Sequence, residues 1–111
     1  MTNLNQMKCE ACDANAKLLS PSEIESLMQE VGDWSLIQDS GTQKLRRVFH
    51  TQNYVESISL TNAIAQLAET INHHPLIVVE YSTVTVEWWS HKINGLHRND
   101  FIMAAKTSDL F

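Results

Sequence analysis

Cysteine is scarce in this chain of 111 residues. The two present, Cys9 and Cys12, are too few for a disulfide scaffold, so ordinary apolar burial must supply the core. Glycine is scarce too, with three residues, and neither a Gly-rich phosphate loop nor a Gly-x-Ser-x-Gly elbow is present. Long apolar runs are missing. Leu76 to Val79 is far too short to span a bilayer, and the polar stretch Met1 to Asp13 lacks the apolar centre of a signal peptide. Positive charge is also in short supply: eight Lys and Arg against 13 Asp and Glu leave a net charge of −5. A surface of that sign repels phosphate backbones and argues against direct nucleic-acid binding. The expectation is a soluble cytoplasmic protein with neither membrane nor nucleic acid as partner.

What is present is a globular composition, 43% hydrophobic, at a length suited to one domain. Five histidines stand out: His50, His73, His74, His91 and His97. Histidine both gives and takes a proton near neutral pH, so their placement is the main question.

Residues 1–17 carry little pattern and read as a flexible tail ahead of a single domain over 18–111. Cys9-x-x-Cys12 falls in that tail. It has no second cysteine pair to complete a zinc knuckle, and it does not open a helix after a strand as a redox pair would. Ser20-Pro21-Ser22-Glu23 has the form of a capping box with proline in the first turn. Ile24, Leu27, Met28 and Val31 continue it as an apolar stripe, which Gly32 is expected to stop. Trp34 to Gln38 and Lys44 to His50 read as two strands joined through Asp39-Ser40-Gly41. Asn53 opens the longest helix, with Glu56 at capping distance, an apolar face of Ile58, Ile64, Leu67, Ala68 and Ile71, and Pro75 as its end. Leu76 to Tyr81 and Val84 to Ser90 read as two more strands, with Val84, Val86 and Trp88 on one side and Thr85, Glu87, Trp89 and His91 on the other. After the Asn94-Gly95 turn, Arg98 to Leu110 closes the chain as a helix. The order α-β-β-α-β-β-α predicts an α+β fold, a four-stranded antiparallel sheet with three helices packed on one face.

Chemistry concentrates in Glu69-Thr70-Ile71-Asn72-His73-His74-Pro75. If the helix continues through it, Glu69 and His73 share a face. A neighbouring carboxylate and a helix C-terminus both favour an imidazolium, which suits His73 to give a proton as a general acid. The alternative is a surface salt bridge with His74 as a polar helix end. His91, on the same side of its strand as Trp89, adds a third imidazole beside an aromatic wall. Such a group suits a flat heteroaromatic ligand that needs acid–base chemistry and no nucleophile. A metal is disfavoured by the spacing, because adjacent histidines on a helix diverge and no His-x-x-x-His pair exists.

Glu69-x-x-x-His73-His74-Pro75, then Tyr81, His91 and Asp100, resembles the signature of the pterin-4a-carbinolamine dehydratase family. Trp34, Phe49 and Gly95-Leu96 support the resemblance, which runs from about Leu19 to Leu110. Cys9-x-x-Cys12 and Trp88-Trp89-Ser90-His91 look most like bacterial members that accompany phenylalanine hydroxylase. The resemblance implies a four-stranded antiparallel sheet with helices on one face, assembly as a homodimer or homotetramer, and no metal or organic cofactor. It implies dehydration of 4a-hydroxytetrahydropterin to quinonoid dihydropterin, a hydro-lyase reaction that recycles the pterin of aromatic amino acid hydroxylation. By position, His73, His74 and His91 match the family's active-site histidines, with Glu69 and Asp100 as flanking acids. Pro75, Trp89, Ser90, Lys92 and Ile93 match positions around the pterin. Two departures stand out. His97 occupies a helix-cap position where many members have Thr, which leaves Asp100 either a helix-terminus acid or a group orienting a histidine. Leu76 and Ile77 replace an acidic and an aromatic residue common in animal members. A competing reading is a non-catalytic regulatory or stabilising partner of a hydroxylase or transcription factor, with Tyr54, Leu60 and Ala65 as a thin outer stripe on the long helix.

Overall fold

The computed structural model describes residues 3–9 and 17–111, so Cys12 lies outside the described residues. Seven regular elements follow the expected order: α1 (Pro21–Met28), β1 (Ser35–Asp39), β2 (Thr42–His50), α2 (Tyr54–Ile71), β3 (Leu76–Val79), β4 (Thr83–Trp88) and α3 (Arg98–Ser108). The strands form one antiparallel sheet in the order β1-β2-β4-β3.

Local chemistry sets most of the boundaries. Ser20 Oγ accepts the Glu23 N–H, and the Glu23 carboxylate accepts the Ser20 N–H at 2.9 Å, closing the capping box of α1. Those bonds, first the backbone one, hold the Glu23 carboxyl below the usual carboxylate range. The end of α1 departs from expectation. The helix stops at Met28, four residues before Gly32, and three tight turns, Glu30 N to Leu27 O, Val31 N to Met28 O and Trp34 N to Val31 O, carry the chain on past the glycine. The β1–β2 hairpin turns on Ser40 and Gly41, both at positive φ (52° and 82°), the geometry of a two-residue loop matched to strand twist.

Strand alternation decides the layers. Leu45 and Phe49 of β2 and Val84, Val86 and Trp88 of β4 are fully buried against the helices. α2 contributes Leu60, Ile64 and Ala68, and α3 contributes Phe101, Ile102, Met103 and Ala104. The stripe on α2 is rotated from the expected one: Leu60 is core and Ile58 is exposed. Ser57 is the reason. It is fully buried, its hydroxyl 2.6 Å from Thr51 Oγ1 and donating to the Tyr81 carbonyl, so a polar residue starts the inward row. Both core indoles have partners, as buried indoles require. Trp34 Nε1 donates to Ser108 Oγ at 2.9 Å and Trp88 Nε1 to Thr107 Oγ1 at 3.0 Å, tying the sheet to the end of α3. Arg47 is the one charged residue on the inward face of β2; its guanidinium lies 4.4 Å from the Phe49 ring centroid and donates to Ser108 Oγ. Residues 3–9 lie outside the sheet, with Leu4 buried in the core and Asn5 donating to Asp109 at 2.7 Å.

Among the described residues nothing covers the other face of the sheet. Val48, Leu76 and Val78 stand exposed there around an ion-pair cluster in which Glu87 is buried beneath Arg46 (2.6 Å) and Lys44 (3.9 Å). Among the described residues no helix is long and apolar enough to cross a membrane.

Phe101→Ala is expected to lower unfolding free energy by about 3–5 kcal/mol, as for a fully enclosed aromatic. Ser20→Ala should cost only about 1 kcal/mol, the worth of one cap. Urea denaturation followed by tryptophan fluorescence measures both.

Candidate active site

Three loops at one end of the sheet bring the singled-out residues together. The first is the exit from α2. Asn72 takes the left-handed conformation (φ 52°, ψ 42°) and its N–H caps the carbonyls of Ala68 and Glu69, so the helix ends at Ile71. Asparagine tolerates this region better than most residues, and a residue preceding proline is steered away from helix. The turn overturns the expected pairing of Glu69 with His73. His73 folds under the helix end to 8% exposure, while His74 stays outside and places Nε2 2.5 Å from Glu69 Oε2. That second pair is a surface contact, with side chains 54% and 73% exposed, so it orients His74 and adds little stability.

The second loop follows β4. The strand stops at Trp88, short of the expected Ser90, and His91-Lys92-Ile93 form a 3₁₀ turn closed by the Ser90–Gly95 bridge, with Asn94 again left-handed. His91 therefore sits on a loop, not at a strand end. Its Nε2 donates to the His74 carbonyl at 3.3 Å, and its ring centroid lies 4.3 Å from that of Trp89.

The third element is the start of α3. His97 caps the helix through Nδ1, which accepts the Asn99 N–H at 3.1 Å. Asp100, fully buried, returns the capping bond by accepting the His97 N–H at 2.9 Å. The same carboxylate accepts Ser90 Oγ–H at 2.7 Å and His73 Nε2–H at 2.7 Å. Three donors on two oxygens are what an ionised carboxylate satisfies. The two readings of Asp100, helix acid and histidine anchor, thus hold together. Ser90 and Asp100 were expected around the ligand, but both are fully buried and face each other. They stand behind His73. Lys92 is exposed, and Ile93 and Pro75 are half-buried.

All three imidazoles are engaged through Nε2: His73 by a carboxylate, His74 by a carboxylate, His91 by a carbonyl. Among the described residues, no hydrogen bond engages the Nδ1 of these three rings. Two tryptophans back them. Trp88 stacks on His73 (centroids 5.4 Å apart, planes at 28°) and Trp89 on His91. The Trp88–His73 contact was not expected from sequence; the strict alternation of β4 was its only signal. His50 lies exposed at the end of β2, away from the other four. Among the described residues no group of three or more His, Cys, Asp or Glu is disposed to hold a metal ion.

Residues 17–110 match the family described as pterin 4 alpha carbinolamine dehydratase. The chain belongs to that family. Its named reaction is a dehydration, the work of a hydro-lyase. A protein of Marinobacter nauticus bearing the name "Putative pterin-4-alpha-carbinolamine dehydratase" is 47% identical over the whole of both chains. A protein of the same name from Nitrosococcus oceani is 50% identical over 99% of this chain and 97% of its own. The crystal structure of a transcriptional coactivator/pterin dehydratase from Brucella melitensis superposes with a TM-score of 0.76, covering 85% of this chain and 98% of that one at 24% identity, a likeness of fold.

Asp100→Asn keeps the shape but sets an amide NH₂ against donors. It is expected to destabilise the protein by about 1–3 kcal/mol in urea denaturation, the cost of buried donors left without an acceptor.

Proposed function

We propose that this protein dehydrates pterin-4a-carbinolamine to quinonoid dihydropterin, with the three histidines carrying the acid–base chemistry. In that reaction the C4a–O bond breaks, N5 loses its proton, and the departing hydroxide leaves as water once protonated. One proton is delivered and one removed, with no change of oxidation state, so imidazoles suffice. The observation that supports the reading best is the grouping of His73, His74 and His91 through the Asp100 and Glu69 carboxylates and the His74 carbonyl.

His73 and His91 serve the two proton transfers, and His74, tethered to Glu69, holds the ring. Asp100 keeps His73 in the tautomer with a proton on Nε2, so exchange with substrate runs through Nδ1. Trp89 backs His91 at the edge of the pterin pocket, and Pro75, Lys92 and Ile93 stand at the rim. An uncharged heterocycle needs no basic patch, in keeping with the net charge of −5. The product returns to the pterin pool used in aromatic amino acid hydroxylation, which links the protein in function to a phenylalanine hydroxylase.

His91→Ala is expected to slow dehydration of freshly generated carbinolamine by about 10²–10⁴-fold while leaving stability near wild type, because His91 is exposed. His73→Ala should slow it comparably and also destabilise, since Asp100 loses a partner. Stopped-flow absorbance reads the rate, and wild-type rates in both variants would overturn the proposal.

A second role, self-association or regulation of a partner, is favoured by one observation: Tyr54, Val55 and Ile58 leave an apolar stripe exposed on α2. This differs from the stripe read from sequence, because Leu60 is buried. A homodimer or homotetramer formed through that stripe is expected to dissociate in Ile58→Glu, as sedimentation equilibrium would detect.

A further inference from the structure

The charged cluster on the outer sheet face has no part in the proton transfers above, yet it reaches the histidines. Lys44 sits in β2 one residue before Leu45, the register partner of Trp88, so it stands beside Trp89 on the outward side. Its side chain is only 12% exposed. Nζ lies 3.3 Å from Asp39 Oδ2, 3.9 Å from Glu87 Oε1 and 4.0 Å from the centroid of the Trp89 ring. The same indole packs on His91 at 4.3 Å with planes 33° apart. Lysine normally spreads over many rotamers; here two carboxylates and an aromatic ring hold it in one place.

His91 needs such an anchor. It is exposed, it sits on a short turn outside the strand, and its hydrogen bond to the His74 carbonyl is long at 3.3 Å. One weak bond leaves the ring free to swing about its side-chain torsions. Contact with a fixed indole plane removes that freedom, and the indole is fixed only if something holds it.

We infer that Lys44 is a positioning residue for His91: its ammonium pins the Trp89 indole, and the indole sets the orientation of the imidazole. The inference rests on the reading that His91 transfers a proton in the dehydration. Glu87, buried and paired with Arg46 as well as Lys44, fixes the cluster to the sheet. Arg46 shares that acid, so it separates the effect of the charge cluster as a whole from the effect of Lys44 on the indole.

The test compares Lys44→Met, Lys44→Arg and Arg46→Met in the full-length chain by NMR of the histidine ring protons and by stopped-flow dehydration. In wild type the His91 ring protons are expected to carry a ring-current shift from Trp89, given the 4.3 Å between ring centroids. In Lys44→Met they are expected to move toward the positions of His50, and kcat to fall about 3–10-fold with KM changed by less than about twofold, the pattern of a misaligned proton-transfer group. Lys44→Arg, which keeps a cation over the ring, should retain both signals. Arg46→Met should leave the His91 resonances in place. Unmoved His91 resonances in Lys44→Met, or an equal displacement in Arg46→Met, would overturn the inference. A wild-type protein without dehydration activity would refute the functional reading instead, and the His91 resonances would still decide the positioning.

Discussion

The Asp100 carboxylate is the constraint on which the site depends. A fully buried charge is tolerated only when its oxygens are saturated, and here an imidazole, a hydroxyl and a backbone N–H saturate them. Each donor comes from a different stretch of chain: the exit of α2, the loop after β4 and the start of α3. One side chain thus serves as capping acid, as loop anchor and as partner of His73. The arrangement is stiff because none of the donors can leave without exposing the carboxylate to an apolar interior.

Around that anchor the chain divides its histidines by depth. Asn72 breaks the helix one residue before His73, which sends His73 inward to Asp100 and leaves His74 outside to meet Glu69. The consecutive tryptophans divide in the same way, since alternate residues of a strand face opposite sides. Trp88 lies in the core against His73, and Trp89 lies on the outer face against His91. Two aromatic walls, one dry and one open, back two imidazoles in different surroundings. That asymmetry suits a reaction in which one proton is delivered and another removed, because groups in unlike environments take unlike roles.

The two faces of the sheet carry different duties. The inner face carries Arg47 as the charged residue of its β2 row, spanning from the Phe49 ring to Ser108, and its apolar residues provide the burial on which folding rests. The outer face holds its charges in mutual pairs beside exposed Val48, Leu76 and Val78. Stability and chemistry therefore meet only at one end of the sheet, where the loops gather.

The sequence alone determined the order of elements, the capping box of α1, the hairpin at Ser40-Gly41 and the shared side of Val84, Val86 and Trp88. These follow from local rules: caps act within three residues and strand alternation has a period of two. It also picked out His73, His74, His91, Glu69 and Asp100. What the tertiary structure decided was the pairing among them. Extending α2 through His74 set Glu69 against His73, although Asn72 and the position before Pro75 already signalled an earlier end. The inward rotation of α2 was hidden because Ser57, a polar residue, belongs to the buried stripe. The contacts of His73 with Asp100, of Trp88 with His73 and of Lys44 with Trp89 join residues 15 to 45 positions apart. No periodicity reaches that far; only the packing of helix ends and loops around a buried charge brings them together.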